Sequence, residues 1–104
     1  MYNLDITEHA EYDLEKIIKY ISENLSAPQA AYDFADLVYE CYERIEQNPY
    51  IYEESWDPKL KKEGFRRAVI KNYIMLYKVY EDKKPKMVIV HRFFHGSQNY
   101  FDLL

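Results

Sequence analysis

The sequence predicts an α+β domain of two layers: an N-terminal strand, an antiparallel helical hairpin and then a three-stranded antiparallel meander. Apolar residues recur every three or four positions up to residue 45, whereas β-branched and aromatic residues dominate from Phe65 onward. Because helices and strands occupy separate parts of the chain, we expect an antiparallel sheet with the helices on one side. With 104 residues and only 2 glycines, residues 1–104 are expected to form a single domain.

The first two elements follow from residues 2–25. Tyr2, Leu4 and Ile6 alternate with other residues, which predicts a short strand over residues 2–6. Thr7 is placed to cap a helix, and two glutamates in the first turn suit the positive end of the helix dipole. This helix is predicted to end near residues 24–25. It presents one apolar stripe, formed by Ala10, Leu14, Ile17, Ile18, Ile21 and Leu25.

A second helix is predicted to begin at Ser26. This serine is the expected N-cap, Pro28 lies in the first turn, and Gln29 occupies the third position of a capping box. Its apolar positions repeat at intervals of three and four: Ala27, Ala31, Phe34, Val38, Cys41 and Ile45. The two stripes predict the seam of a helical hairpin, in which Cys41 is a buried apolar residue and not a nucleophile.

The second half of the chain is predicted to form the meander. A loop over residues 49–63 comes first, anchored by three aromatic residues, Tyr50, Tyr52 and Trp56. Three strands follow, over residues 65–70, 73–80 and 86–94. The first two are joined by Lys71 and Asn72, a two-residue hairpin in which asparagine tolerates a positive φ.

Charge is distributed unevenly along the chain. Residues 1–58 contain 3 Lys/Arg and 14 Asp/Glu, a net of −11, whereas residues 59–104 contain 11 Lys/Arg and 4 Asp/Glu, a net of +7. The basic half indicates an anionic partner, such as nucleic acid or an acidic peptide. The alternative is that the two halves balance within a folded monomer of net charge −4.

The composition also bears on location. The N-terminus has no basic segment followed by an apolar run, and no apolar run approaches the ~20 residues of a membrane span. We therefore expect neither a signal peptide nor a membrane partner. The single cysteine, Cys41, cannot form an internal disulfide, which fits a reducing compartment. A cytoplasmic location is expected.

Four segments, in this order, carry a family resemblance: LDITEHAEYDLEKIIKYI, LSAPQAA, GFRRAVIKNYIMLYKVYED and VHRFFHGSQNYFDLL. Together they resemble the RelE/ParE toxins of bacterial type II toxin–antitoxin pairs, also known as plasmid stabilisation or addiction-module toxins. The resemblance implies a small protein that arrests growth when free and is silenced by a cognate antitoxin bound across it. RelE-like members cut mRNA in the ribosome without metal, whereas ParE-like members inhibit DNA gyrase.

Metal-free RNA cleavage needs a base for the ribose 2′-hydroxyl, an acid for the leaving oxygen and cations for the phosphorane. The candidate catalytic residues are Arg67, Arg92 and His95, with Tyr100 assisting. Arg66 and Lys71 are candidates for contacts with nucleic acid or antitoxin. Arg66 and Arg67 are adjacent in a strand and must point to opposite faces, one towards the site and one into solvent. We expect Arg67, Arg92 and His95 to gather on the sheet face away from the helices.

The two histidines near the C-terminus have different predicted roles. His91 shares its predicted face with Met87, Ile89 and Phe93, so it is interpreted as a core histidine with a hydrogen-bonded ring. His95 lies where the last strand breaks, and its near-neutral pKa suits acid–base chemistry; alternatively, it only ends the strand. No spacing of His or Cys indicates a metal site, and no motif indicates a cofactor.

Two departures from nuclease relatives leave the mechanism open. Ile74 follows Tyr73 where nuclease members carry Arg, and Ser97 and Gln98 stand where many relatives carry Arg. Each missing cation removes stabilisation of the phosphorane. Three functions are therefore candidates: a ribosome-associated endoribonuclease (mRNA interferase), a gyrase inhibitor acting through the helical hairpin and the C-terminal tail, and a degenerate toxin that only binds its antitoxin.

Overall fold

The computed structural model describes residues 1–98, and its helices follow the predicted order. Helix α1 (Glu8–Lys19) is prolonged by a π-helical turn (Tyr20–Asn24). Helix α2 (Pro28–Gln47) returns antiparallel to it, and a short helix, α3 (Pro58–Lys62), precedes the meander. Within the described part of the chain, no helix combines the length and apolarity needed to cross a membrane.

Four strands form one sheet in the order β1-β4-β3-β2. Their bounds are Asn3–Ile6 for β1, Phe65–Ile70 for β2, Tyr73–Tyr80 for β3 and Met87–His95 for β4. β1 runs parallel to β4, and the other neighbouring strands are antiparallel. The predicted two-layer α+β fold, with its N-terminal strand, helical hairpin and meander, is confirmed.

The main core lies between the helices and the sheet. The predicted seam of α2 is buried there: Ala31, Phe34, Val38, Cys41 and Ile45. The sheet contributes Met75, Tyr77, Val88, Val90 and Phe93. A smaller cluster, to which α3 contributes Leu60, covers part of the opposite face of the sheet. Below, "helix side" denotes the sheet face that meets α1 and α2, and "outer face" denotes the opposite one.

A β-bulge in β4 changes the predicted alternation. The register shifts between Leu76 and Tyr77 of β3, and His91 of β4 is left without a direct partner. Val90 and Phe93 therefore both belong to the main core. The prediction that His91 shares a face with Phe93 is wrong, because the bulge inserts one residue between them.

His91 itself is a half-buried residue of the outer face. Its ring lies 5.2 Å from that of Phe65 between centroids, and its Nε2 lies 3.0 Å from the hydroxyl oxygen of Tyr80. Burial lowers the pKa of His91, and the ammonium of Lys78 lowers it further. The predicted hydrogen-bonded ring is found, but the prediction of a core position is wrong, because His91 is half-buried on the outer face.

The link between the helices differs from the predicted capping box. Ser26 adopts a φ of 49°, so Ala27 is the N-cap of α2 and makes no side-chain capping bond. Gln29 donates its side-chain amide to Asp33 at 3.0 Å instead of reaching back to the cap. The cap of α1 is as predicted, since the hydroxyl oxygen of Thr7 accepts from the backbone N–H of Ala10.

Two further local predictions are corrected. The Lys71–Asn72 hairpin forms, but the positive φ, 55°, falls on Lys71. The predicted loop over residues 49–63 contains α3, whose first turn is capped by Asp57: its carboxylate accepts from the backbone N–H groups of Lys59 and Leu60. An Asp-Pro pair at a helix start is the signal that could have predicted this helix.

Candidate functional site

The register of the sheet decides which candidate residues meet. Arg67 of β2 and Arg92 of β4 both lie opposite Leu76 of β3, and therefore in one row on the outer face. His95 pairs instead with Tyr73, whose ring packs against α2. The imidazole of His95 thus lies on the helix side, 5.3 Å from the Tyr73 ring between centroids. The prediction that all three cationic residues gather on the outer face is wrong for His95.

Arg67 is only 5% exposed, although it lies on the outer face. Its guanidinium carbon Cζ stacks 3.7 Å from the ring centroid of Trp56, and its Nη1 donates to Oε1 of Glu53 at 2.8 Å. The Nε of Arg67 is buried and has no hydrogen-bond partner among the described residues. The charge of Arg67 is therefore offset by a carboxylate and covered by an aromatic ring. Trp56, one of the three predicted aromatic anchors of the loop, is 69% exposed and makes its contact with Arg67.

Arg92 is held by Asp13 of α1 in a bidentate ion pair. Nε donates to Oδ2 at 2.7 Å and Nη2 donates to Oδ1 at 3.2 Å, and both side chains are about one-tenth exposed. Asp13 Oδ2 also accepts from the backbone N–H of Phe93 at 3.1 Å. β1 ends at Ile6, which pairs with Val90 of β4. Beyond Val90, the Asp13 carboxylate accepts a hydrogen bond from the backbone of β4 where a strand partner would otherwise do so. The pair joins α1 to the open edge of the sheet.

The two residues predicted to contact nucleic acid or antitoxin differ in exposure. Arg66 points away from Arg67, as predicted, and is partly exposed, with its guanidinium held by other residues. Nη1 of Arg66 donates to the backbone carbonyl of Tyr52 at 2.8 Å, and its guanidinium lies 4.8 Å from the ring centroid of Tyr50. Lys71 is exposed at the tip of the hairpin. Of the two, only Lys71 presents its charge freely to a partner.

His95 is exposed at the end of β4. Its Nδ1 accepts from the backbone N–H of Ser97 at 3.1 Å and lies 2.7 Å from the Ser97 hydroxyl oxygen. When Nδ1 accepts in this way, Nε2 is the ring nitrogen that can donate a hydrogen bond. Tyr100, which was predicted to assist, lies outside the described residues.

Three clefts meet at His95. The largest, here termed the helix-side cleft, has a volume of about 690 Å³. Its apolar lining is formed by Ile17, Tyr20, Ile21, Leu25, Phe34 and Tyr73. The second, here termed the outer cleft, has a volume of about 510 Å³ and is lined by Trp56, Arg67, Val69, Lys71 and Ile74, among others. A third, of about 160 Å³, exposes part of the Asp13–Arg92 pair.

The clefts differ in what they can do chemically. Lys71 and His95 line both large clefts and are exposed, so they can bind an anion or donate hydrogen bonds to a partner. The arginines that would stabilise a phosphorane are already committed to Glu53 and Asp13. Within residues 1–98, no three His, Cys, Asp or Glu side chains are grouped in a way that could hold a metal ion. The large clefts therefore present exposed polar groups of Lys71 and His95, whereas the two arginines are held in ion pairs.

Sequence reasoning did not identify Asp13, Glu53 or the helix-side cleft. Asp13 and Glu53 are ordinary surface carboxylates in the sequence, and only the fold brings them to their arginines. The cleft had a signal, because the apolar stripe of α1 continues into Tyr20 and Leu25, beyond the length that the sheet covers. Excess apolar surface at the end of an amphipathic helix is typical of a binding groove.

Comparison with known proteins agrees with this fold. Among solved structures, the chromosomal ParDE toxin–antitoxin system from P. aeruginosa has a chain with a TM-score of 0.68 and 19% identity; the alignment covers 91% of this chain and 96% of that one. The toxin–antitoxin complex RelBE2 from Mycobacterium tuberculosis gives a TM-score of 0.61 and 21% identity, covering 90% and 96%. No curated protein sequence matches this chain.

The sequence itself gives the family. Residues 4–100 match the sequence profile of the ParE toxin of the type II toxin–antitoxin system parDE. This match spans every element of the fold, from β1 to β4, together with the clefts that meet at His95. The chain therefore belongs to the ParE toxin family of type II toxin–antitoxin systems, within the RelE/ParE superfamily.

Proposed function

We propose that this chain is a growth-arresting toxin that binds a protein target, with DNA gyrase as the first candidate, and that a cognate antitoxin silences it. Membership of the ParE toxin family supports the toxin and favours gyrase over the ribosome. One observation carries the choice of binding over RNA cleavage: both outer-face arginines are paired with carboxylates, Arg67 with Glu53 and Arg92 with Asp13.

The energetics of these pairs support the proposal. An arginine stabilises a phosphorane only if its N–H groups are available when negative charge develops. Arg92 has two of its N–H groups on Asp13, in a site where both side chains are about one-tenth exposed. Separating a buried pair of this kind costs about 3 kcal/mol or more. That cost would oppose the stabilisation that the same arginine could give to a transition state.

The helix-side cleft is the proposed antitoxin site. It leaves apolar side chains in solvent, including Leu25 at 56% exposure, and an apolar groove of this kind fits one face of an amphipathic helix. Lys16 and Lys71 line it and suit acidic residues of a partner. Both solved relatives named above come from toxin–antitoxin systems, which supports the same assembly for this chain.

Two assays with the purified chain test the mechanism together. We expect it to inhibit supercoiling of relaxed plasmid DNA by gyrase while mRNA in a translating ribosome extract stays intact. The Leu25→Lys variant tests the antitoxin site separately: Leu25 lines the helix-side cleft and is exposed, so the substitution should lower antitoxin binding without unfolding the chain. Cleaved mRNA with normal supercoiling would contradict the proposal.

Ribosome-associated RNA cleavage is the second candidate, because one observation favours it. His95 is exposed, its Nε2 makes no hydrogen bond within residues 1–98, and it lines the same clefts as Lys71. If this imidazole carries the toxicity, His95→Ala should abolish growth arrest and mRNA cleavage together. Under the binding proposal, growth arrest persists in His95→Ala, and Lys83→Ala serves as an exposed control.

A further inference from the structure

The solvent-exposed seam between α1 and α2 contains a groove, here termed the hairpin groove, that is separate from the clefts at His95. It has a volume of about 300 Å³, and its lining within residues 1–98 contains no charged side chain. The groove is lined by Ile18, Ser22, Pro28, Ala31, Tyr32 and Ala35. None of these residues lines the helix-side cleft, so the two are distinct sites.

Exposed tyrosines form the α2 side of this groove. Tyr32, Ala35 and Tyr39 follow one another at helical spacing, so they lie on one face of α2. Tyr32 is 70% exposed and Tyr39 is 61% exposed, and the Tyr39 ring meets that of Tyr42 edge to face, with 5.9 Å between centroids. Burial raises the pKa of Tyr42, and the nearby Tyr39 and Glu11 raise it further, which brings Glu11 of α1 beside these rings. Tyrosine is enriched among the residues that contribute most to binding at protein interfaces.

Exposed carboxylates frame the groove on both helices. On α1, Glu15 lies about one turn before Ile18. On α2, Asp36 and Glu43 each lie one turn after an exposed tyrosine. All three carboxylates are exposed, and none of them is in an ion pair within residues 1–98. Residues 8–47 contain 10 Asp/Glu and 3 Lys/Arg, a net of −7, so the groove combines an apolar floor with an acidic surround.

The charge around the groove selects the kind of partner. A layer of net charge −7 repels nucleic acid and anionic lipid. A second copy of the chain, docked through the same groove, would bring two acidic surrounds together, and like charges across an interface oppose binding. A cationic protein segment has the complementary charge. Because the groove runs along two antiparallel helices, a third helix packs on it in an ordinary helix–helix geometry.

We propose that the hairpin groove binds a basic amphipathic helix of a partner protein, at a site separate from the proposed antitoxin site. The apolar face of this helix packs on Ala35 between Tyr32 and Tyr39. Its lysines and arginines lie against Glu15 and Asp36 at the two sides of the groove. The site does not depend on whether the toxin acts on gyrase or on RNA.

A synthetic helix provides the probe. It is a capped peptide of about 15 residues, with leucines at helical spacing on one face and lysines and arginines on the other. We expect saturable binding by fluorescence anisotropy that weakens with added salt, and larger NMR shifts for the amides of Tyr32 and Ala35 than for that of Leu25 in the helix-side cleft. The same peptide with glutamates in place of the lysines and arginines should bind the groove at least about tenfold more weakly, a difference of about 1.4 kcal/mol.

Matched variants test the aromatic and the acidic parts separately. Tyr32→Ala should lower the affinity for the basic peptide at least about tenfold, because it removes a tyrosine that lines the groove. Asp36→Lys should lower it about threefold and reduce its salt dependence. Tyr12→Ala, at another exposed tyrosine of α1, and Glu63→Lys, at the end of α3, are the controls and should retain the wild-type affinity. Circular dichroism verifies the fold of all four variants.

Several results would overturn the proposal. These are equal affinity for the acidic peptide, wild-type affinity in Tyr32→Ala, NMR shifts centred on the helix-side cleft, and no saturable binding at millimolar peptide. Self-association of the free chain that Tyr32→Ala abolishes, measured by sedimentation, would also overturn it, because a second copy would then occupy the groove.

Discussion

At the residue scale, the two outer-face arginines show different ways of burying a guanidinium. Arg92 meets a carboxylate through two hydrogen bonds, whereas Arg67 meets one carboxylate oxygen and the face of Trp56. The second arrangement leaves Nε of Arg67 without a partner among the described residues. A stacked aromatic ring satisfies the charge of a guanidinium without satisfying every N–H group. The Asp13–Arg92 pair is therefore the better satisfied of the two.

Removing the charge of Asp13 should be costly. In Asp13→Asn, the buried guanidinium of Arg92 loses its anionic partner, and we expect the free energy of unfolding to fall by about 3 kcal/mol. Urea denaturation followed by circular dichroism measures this change. Asp36→Asn, an exposed position on α2, is the matched control and should change stability by less than about 0.5 kcal/mol. Equal stability of the two variants would show that the pair is not a structural contact.

At the scale of elements, Glu81 ties three parts of the chain together. Its Oε1 accepts from the hydroxyl groups of Tyr2, beside β1, and of Tyr50, after α2, while its Oε2 lies 3.1 Å from Nζ of Lys86. The hydrogen bonds from Tyr2 and Tyr50 lower the pKa of Glu81 to about 2. The same carboxylate raises the pKa of Tyr50 to about 12. These contacts hold the β3–β4 connection against the N-terminal strand.

Stability should therefore depend on pH through Glu81. A carboxyl whose pKa is lower in the folded state favours folding when it is ionised, so its contribution is complete above about pH 4.5 and is lost as pH falls towards 2. We expect the thermal midpoint of the wild type to fall more steeply across this range than that of Glu81→Gln. Calorimetry at several pH values measures the two slopes, and parallel slopes would contradict the assignment.

His91 should add a second pH-dependent change in stability, at higher pH than that of Glu81. Because burial lowers its pKa, the unfolded chain binds a proton more readily, and stability should fall as pH decreases below about 6.5. His91→Gln should remove this step while leaving the step of Glu81 unchanged. The same calorimetric series distinguishes the two, since the steps occupy different pH ranges.

The helices and strands were predictable from the sequence wherever the spacing of apolar residues is regular. The apolar stripes of α1 and α2 and the β-rich runs of the meander gave the helices, the strands and their order. The π-helical turn, the φ of Ser26 and the bulge at His91 were not predictable, because they arise where packed elements must meet with a mismatch of one residue. The site was harder for a related reason: the partners of Arg67 and Arg92 lie 14 and 79 residues away in sequence.

At the scale of the whole molecule, charge follows the two layers. Exposed acidic residues cover the outer sides of α1 and α2, among them Glu11, Glu15, Asp36, Glu40 and Glu43. The basic residues belong mainly to α3 and the meander, and the arginines among them are neutralised or packed. The charge that the basic half presents to a partner is therefore smaller than its formal net charge of +7.

Lys71 should therefore dominate the electrostatics of partner binding. Lys71→Glu is expected to weaken binding of the cognate antitoxin, mainly through slower association and a smaller salt dependence, without loss of stability. Surface plasmon resonance at several salt concentrations measures both rates. Lys83→Glu, on the β3–β4 connection, is the exposed control. Charge reversal at Arg67 is not an equivalent test, because it should unfold the chain by placing a carboxylate beside Glu53.

The parallel pairing of β1 with β4 has a consequence for biosynthesis. β1 is made first and has no strand partner until β4, more than 80 residues later, leaves the ribosome. Before that point, the nascent chain lacks a central strand of its sheet and all the clefts that meet at His95. A translation product interrupted before β4 therefore lacks the surfaces on which the proposed binding depends, and the proposed activity can begin only when synthesis of the chain is almost finished.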